Sequence, residues 1–424
     1  MSKVSKIWAR QILDSRGNPT VEAACQLDSG EVSVASVPSG ATNGTNEALE
    51  LRDNDPEKYL GKGVSKAVKN VNEILGPGVW GLDVTDQDKI DTRLIELDGT
   101  ANKSKYGANS ILAVSVVVTK AAALASKQPL YVWVNTLAQR VGINAQIKVP
   151  NPIFNMINGG LHGAGNLDFQ EFHVIPATIK SFSDALRMGV EVYMTLGKDL
   201  ARRGAIHSVG DEGGYAPNLF TNADALEVIY ESIKETPYQI GRDLFLGLDV
   251  RATVFYKNGE YVIRDKSAPL SDDALLEYYK YINGQYHLSH LEDAFHEDAW
   301  ESWKKLSQML QEQVLIVGDD LLATNIERVK KAIQEKSCNA ILVKPNQAGT
   351  ITETMKVIKT ARDAGWKVIT SHRSGETVDW FIADFAVGTG SDYVKFGAPA
   401  RGERVVKYNR LLSIEAELLL KTQK

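Results

Sequence analysis

Hydrophobic positions along this chain follow two regimes. Near the start they alternate with polar ones, as in half-buried strands. Lys6 to Leu13, Val21 to Leu27 and Glu31 to Val37 read as three short strands. The turns between them are Ser15-Arg16-Gly17-Asn18-Pro19 and Asp28-Ser29-Gly30. A glycine-rich loop, Ser39-Gly40-Ala41-Thr42-Asn43-Gly44, comes next, and helical patterns then fill about 63–136. The most apolar of these, Ala108 to Ala125, carries Asn109, Ser115, Thr119 and Lys120. That is short and polar for a membrane span, so it reads as a buried helix. Residues 1–136 are expected to form a small α+β domain.

The second regime starts after a break at Gly142 to Pro152. Strands and helices then alternate to the end, the pattern of a parallel sheet or β/α barrel. The expectation is therefore an α/β protein whose residues 143–424 form a β/α barrel. Six apolar runs stand out: LFLGLD (244–249), HLSHLED (287–293), VLIVGDD (314–320), AILVK (340–344), KVITSHR (367–373) and YVKFG (393–397). Helical patterns separate them. One runs from Asp272 to Tyr281 behind Ser271, a good N-cap, and others start near Thr324, Thr350 and Glu376.

Each run ends in residues able to do chemistry. Asp249, Glu292, Asp319, Lys344, His372 and Lys395 all fall at strand C-termini, the end of a β/α barrel that carries the active site. Their spacing is roughly 23 to 43 residues, about one βα unit per step.

Composition removes several classes. The net charge of −5 and the even spread of Lys and Arg do not describe a nucleic-acid binder. Two cysteines, Cys25 and Cys338, make no disulfide framework and suit a reducing compartment. The N-terminus has no apolar core of a signal peptide. The expectation is a cytoplasmic protein with no nucleic-acid or membrane partner.

Three carboxylates at successive strand ends (Asp249, Glu292, Asp319) supply hard oxygen ligands suited to Mg²⁺. Any one of them alone reads as well as a helix cap or ion-pair partner. Lys344 and Lys395 end two further strands. A lysine beside a metal ion is pushed toward the neutral amine, which can act as a base. His372-Arg373-Ser374, ahead of a helix starting near Glu376, has the makings of a phosphate site. Asn158-Gly159-Gly160-Leu161-His162-Gly163 leads to Gln170-Glu171, and Gly210-Asp211-Glu212-Gly213-Gly214 carries a second acid. Two such acids, if they meet, divide into one ionised and one protonated partner. Spacing alone does not say whether Glu171 and Glu212 meet. His287 and His290 look like a metal pair, but i and i+3 on a strand point to opposite faces. His290, in phase with Glu292, should point into the barrel as a core histidine.

SHRSGET (371–377), GDEGG (210–214), GAPARGER (397–404), DSRGNPTVE (14–22) and DGTANKSKYGAN (98–109) resemble segments of the enolases, almost end to end. The resemblance implies an N-terminal α+β domain and a barrel that begins ββαα rather than βαβα. It implies a hydro-lyase that interconverts 2-phosphoglycerate and phosphoenolpyruvate (phosphopyruvate hydratase) with two Mg²⁺ ions per site, in a homo-oligomer, either a dimer or an octamer. Lys344 would take the proton from carbon 2. Glu212 would be the general acid, with Glu171 beside it. Asp249, Glu292 and Asp319 would hold one Mg²⁺, and Thr42 would bind the second. Arg373 and Ser374 would grip phosphate, and Lys395 the carboxylate region. His162, Gln170 and His372 match further active-site positions.

The chain also departs from the family pattern. Thr42 replaces a serine, Arg251 and Val254 replace small or acidic residues after Asp249, and Ala294 replaces a proline. Two other readings compete: an acid-sugar dehydratase or racemase of the same superfamily, and a non-catalytic enolase-like structural or surface-binding protein; a cell-surface or secreted pool could also accompany a cytoplasmic enzyme. The first would need no phosphate clamp. The second would not need Lys344, Glu171, Glu212 and the three carboxylates, although C-terminal Lys424 could serve it.

Overall fold

The computed structural model describes residues 2–40, 44–163 and 165–422. Thr42 and Lys424 lie outside the described residues. The chain opens with an antiparallel sheet in the order β1 (Val4–Leu13), β2 (Pro19–Leu27), β3 (Val32–Ser36). The helix Ala108–Ala125 packs across β2 and β3. Its apolar side chains surround it on all faces, and 83% of it is buried within the protein, so its length and hydropathy serve a core.

Among the described residues, eight strands then close a barrel. In chain order they are β4 (Asn151–Asn158), β5 (Glu171–Pro176), β6 (Leu244–Asp249), β9 (Leu288–Glu292), β10 (Leu315–Gly318), β11 (Ala340–Val343), β12 (Lys367–Ser371) and β13 (Tyr393–Lys395). A small ribbon, β7 (Tyr256–Lys257) with β8 (Glu260–Tyr261), lies outside the barrel. The ring runs β10-β11-β12-β13-β4-β5-β6-β9. Among the described residues the connection from Asn158 to Glu171 holds a 3₁₀ turn and no crossover helix, and β5 pairs antiparallel with β4. Two helices, Phe182–Arg202 and Asn222–Lys234, follow before β6, which is antiparallel to β5. The other neighbours are parallel. The barrel therefore begins ββαα, as the family resemblance implies. Ile153, Ile175, Val317, Ala340, Leu342 and Ile369 fill its interior. His290 stacks edge-on against Tyr393 there, with ring centroids 4.8 Å apart, and is a core residue. His287 is exposed in a left-handed helix cap, so the two histidines make no pair.

Helix starts agree closely with the cap chemistry where a cap residue exists. Ser271 accepts from Ala274 N, and Thr350 from Glu353 N. The start near Glu376 is the exception. That helix begins at Phe381, where Asp379 accepts from Phe381 N at 2.8 Å. Glu376 instead pairs with Lys407 at 2.9 Å and accepts from Thr377 N at 3.0 Å. Ser15 holds the same segment from the N-terminal turn: Ser15 N donates to Glu376 O and Glu376 N to Ser15 Oγ. These contacts hold 374–379 out of a helix, so no helix N-terminus stands at Arg373-Ser374.

The N-terminal part also caps a barrel helix. Ile351 N donates to Ser115 Oγ (3.1 Å) and Thr352 N to Asp91 Oδ2 (2.9 Å), so the first turn of Ile351–Asp363 is satisfied from another part of the chain. Asp91 also accepts from Gln87 Nε2 at 2.9 Å. Burial raises the Asp91 carboxyl to about 6, against the hydrogen bonds that favour its ion. A carboxyl raised in the fold stabilises least when ionised: stability is greatest below about pH 4 and falls as pH rises through about 6. Asp91→Asn removes that fall. Urea unfolding from pH 4 to 7 should show the variant gaining on the wild type by up to about 3 kcal/mol. Parallel pH profiles would contradict it. Asp91→Ala should lose about 1–3 kcal/mol at pH 5, since two buried donors lose their acceptor.

Candidate active site

Reversing β5 brings its first residue, not its last, to the C-terminal mouth of the barrel. Glu171 is directly opposite Asp249 across β5/β6, and Asp249 is in register with Glu292 across β6/β9. Three carboxylates thus stand in one row on adjacent strands. Lys395, the last residue of β13, reaches into this row. Its Nζ is 2.9 Å from Asp249 Oδ2, 2.8 Å from Glu292 Oε1 and 3.3 Å from Glu171 Oε2. Burial works to lower the lysine, but the surrounding carboxylates hold it well above the usual range.

Asp319 follows β10 and pairs with Lys344, which follows β11. Burial, Arg373 and Lys395 all favour the free Lys344 amine, yet Asp319 prevails and the lysine is raised. The neutral amine expected from the sequence is that of a lysine beside a metal ion; the Asp319 carboxylate by itself favours the ammonium. Asp293 shapes this turn, accepting from Asp319 N at 2.9 Å and Asp320 N at 2.7 Å.

The second group gathers around His162. Its Nδ1 is 3.4 Å from Glu171 Oε1 and 3.5 Å from Glu212 Oε1. Burial opposes its charge, but Glu212 and Glu171 outweigh it, and the imidazole is raised. Glu171 also bonds His173 Nε2 at 3.0 Å. Glu171 and Glu212 do meet, but neither is the protonated partner. Despite burial, Lys395 and His162 hold Glu171 well below the usual carboxylate range. Burial and Glu171 oppose ionisation of Glu212, yet His372 and His162 bring it to about 2. These contacts favour both carboxylates as ions and a charged His162.

Arg404 sets the His372 tautomer. It is fully buried, and its Nη1 donates to His372 Nδ1 at 2.7 Å. Since guanidinium cannot accept, Nδ1 is the unprotonated nitrogen and Nε2–H donates to Glu212 Oε2 at 3.1 Å. Arg404 also donates to Arg373 O (2.7 Å), Ser374 O (2.6 Å) and Asp211 O (3.0 Å). One guanidinium thereby fixes both the SHRS loop and the GDEGG loop. Gly397 leaves it room: at φ +86°, a Cβ there would meet Glu212 O at 2.6 Å and His372 Cε1 at 2.9 Å.

Arg373 is held by Glu47, with Nη1–Oε2 at 2.9 Å, and by Asn346 Oδ1 at 3.1 Å. Ser374 stands next to it at the cavity wall. Gln170 accepts from Arg251 Nη1 at 3.1 Å. Most of these groups line one cavity; Glu292, Asp293, His173, Asn346 and Arg404 are not among its lining residues. Arg404, Asp293 and Glu47 escaped the reading of the sequence. Arg404 closes the GAPARGER motif and Asp293 adjoins Glu292, so both carried a signal. Glu47 carried none.

The carboxylates suit a divalent cation. Among the described residues Asp249 Oδ1 is buried with no hydrogen-bond donor. Burial and then Asp249 push Glu292 well above the usual range, despite Lys395. Crowded, desolvated oxygen donors of this kind fit Mg²⁺.

Residues 4–134 match the family described as the enolase N-terminal domain, and residues 146–423 that described as the enolase C-terminal TIM barrel domain. With nearly the whole chain covered by the two matches, and with the barrel and its row of carboxylates in place, the protein belongs to the enolase family.

Proposed function

We propose that the protein is a lyase that interconverts 2-phosphoglycerate and phosphoenolpyruvate with Mg²⁺. The observation that carries this reading is the placement of Lys344 across one cavity from Glu171, which shares His162 with the acid Glu212. β11 and β5 are four strands apart in a ring of eight, so the two side chains enter from opposite walls. A dehydration that removes a proton from one carbon and a hydroxyl from the next needs a base and an acid so disposed.

Lys344 is the base for the carbon-2 proton. Burial favours its free amine once Asp319 no longer answers its charge. Glu212 passes a proton to the carbon-3 hydroxyl, which leaves as water while the carbon–carbon double bond forms. His162 supplies that proton from 3.5 Å, and Glu171 shares the imidazole. His372 fixes one Glu212 oxygen through Nε2–H and leaves the other toward His162. Asp249, Glu292 and Asp319 would hold Mg²⁺, and Thr42 would serve a second ion. When bound, Mg²⁺ stabilises the charge that builds on the substrate carboxylate as the proton leaves. Lys395 faces that carboxylate and Gln170 borders it. Arg373 and Ser374 take the phosphate, for which a planar guanidinium offers two parallel donors.

Ultraviolet absorbance should report phosphoenolpyruvate formed from 2-phosphoglycerate as Mg²⁺ is raised from chelator excess. Lys344→Ala should lose about 10³–10⁴-fold in kcat. An unphosphorylated hydroxy acid should not turn over. No turnover by the folded, Mg²⁺-loaded protein would overturn the reading. Arg404→Met should lower kcat about 100-fold with a smaller change in KM, because it frees His372 and both loops without touching substrate. Arg404→Lys should not rescue it, since an ammonium cannot span four acceptors. Unchanged kcat in either variant would remove Arg404 from the positioning role.

A further inference from the structure

Among the described residues lining the cavity, carboxylates outnumber lysines and arginines six to four. Each cation has its own partner: Arg373 with Glu47, Lys344 with Asp319, Lys395 with Asp249, and Arg251 with Asp320. Arg251 Nε is 3.1 Å from Asp320 Oδ2, and the side chain is only 17% exposed. It sits two residues past Asp249 in the left-handed region, φ 48° and ψ 54°. An arginine rarely adopts that conformation, which persists only where neighbours enforce it. They do so here: Val250 N donates to Glu292 O, Ala252 N to Asp293 O and Val254 N to Arg251 O. The backbone is pinned by the acid-bearing strand ends, and the guanidinium is carried over the next acidic turn.

That turn holds a second set of donors. Carboxylate oxygens of Asp293, Asp319 and Asp320 lie within 4.8 Å of one another. Such a group attracts a divalent cation unless a resident charge already answers it. We infer that Arg251 is a tethered cation of the active site that competes with divalent metal for the Asp319–Asp320 turn, and so weakens metal binding in the substrate-free protein. Its second contact, to Gln170 Oε1, couples that turn to β5. This inference rests on the Mg²⁺ reading above, but its test needs no turnover.

Mn²⁺ binding to the substrate-free protein, counted by the loss of the free-ion electron paramagnetic resonance signal, is the measurement. Arg251→Met keeps the bulk and removes the charge. It should bind Mn²⁺ roughly tenfold or more tightly than wild type, or bind one more ion per chain. Arg251→Lys should stay within about threefold of wild type. Arg251→Gly also removes the charge but relieves the left-handed backbone, so it should follow Arg251→Met even if methionine there proves hard to fold. In chelator, both neutral variants should melt below wild type and gain more on adding MgCl₂. Equal Mn²⁺ affinity and stoichiometry in wild type and the folded neutral variants would overturn the inference. Absence of Mn²⁺ binding in all of them would overturn it too, and would separately sink the metal part of the proposed function.

Discussion

The barrel mouth depends on one buried ammonium. Lys395 contacts Glu171, Asp249 and Glu292, three carboxylates that strand register places side by side. Taking such charges out of water costs several kcal/mol each, and mutual attraction repays it only with close geometry. Removing one partner of such a buried set typically costs about 3–5 kcal/mol, because the others stay buried without compensation. Lys395 is therefore what allows an acidic row to exist there at all.

Much of this was legible in the sequence because strand ends announce themselves. Asp249, Glu292, Lys344, His372 and Lys395 each close an apolar run, and a parallel strand delivers its last residue to the mouth. Glu171 was not legible by this rule, since β5 runs backward and delivers its first residue. It was reached through the family resemblance, which implies a barrel that begins ββαα. Glu212 lies on a loop, and its meeting with Glu171 depends on His162 in another loop, which no local pattern encodes. The helix expected near Glu376 failed for a related reason. Its local composition allows a start there, but Lys407 and Ser15, distant in the chain, engage the Glu376 carboxyl and backbone first. Tertiary partners overrode the local signal in each case.

The N-terminal part does more than cover the barrel. Ser39 and Gly375 exchange backbone hydrogen bonds, Arg401 donates to Ser15 O, and Glu47 neutralises Arg373. The segment that carries Arg373 and Ser374 is thus clamped between Arg404 beneath and the β1–β2 turn above. Loops that hold catalytic groups usually pay in mobility, but a loop tied from two sides keeps its donors aimed before substrate arrives.

Charge pairing gives the site a further property. Arg373, Lys344 and Lys395 are all matched to internal carboxylates. An anionic substrate arriving alone must strip cations from their acids and leave those acids bare. A metal cation arriving alone must take acids and leave lysines bare. On the proposed function both arrive, and the metal would take the carboxylates and the substrate the cations, leaving no buried charge unanswered. Each ligand would then lower the cost of admitting the other, and by linkage the effect would be reciprocal. A lysine released from Asp319 in this exchange is also the one whose burial favours the free amine. On the proposed function, the event that completes the site would also be the one that frees its base.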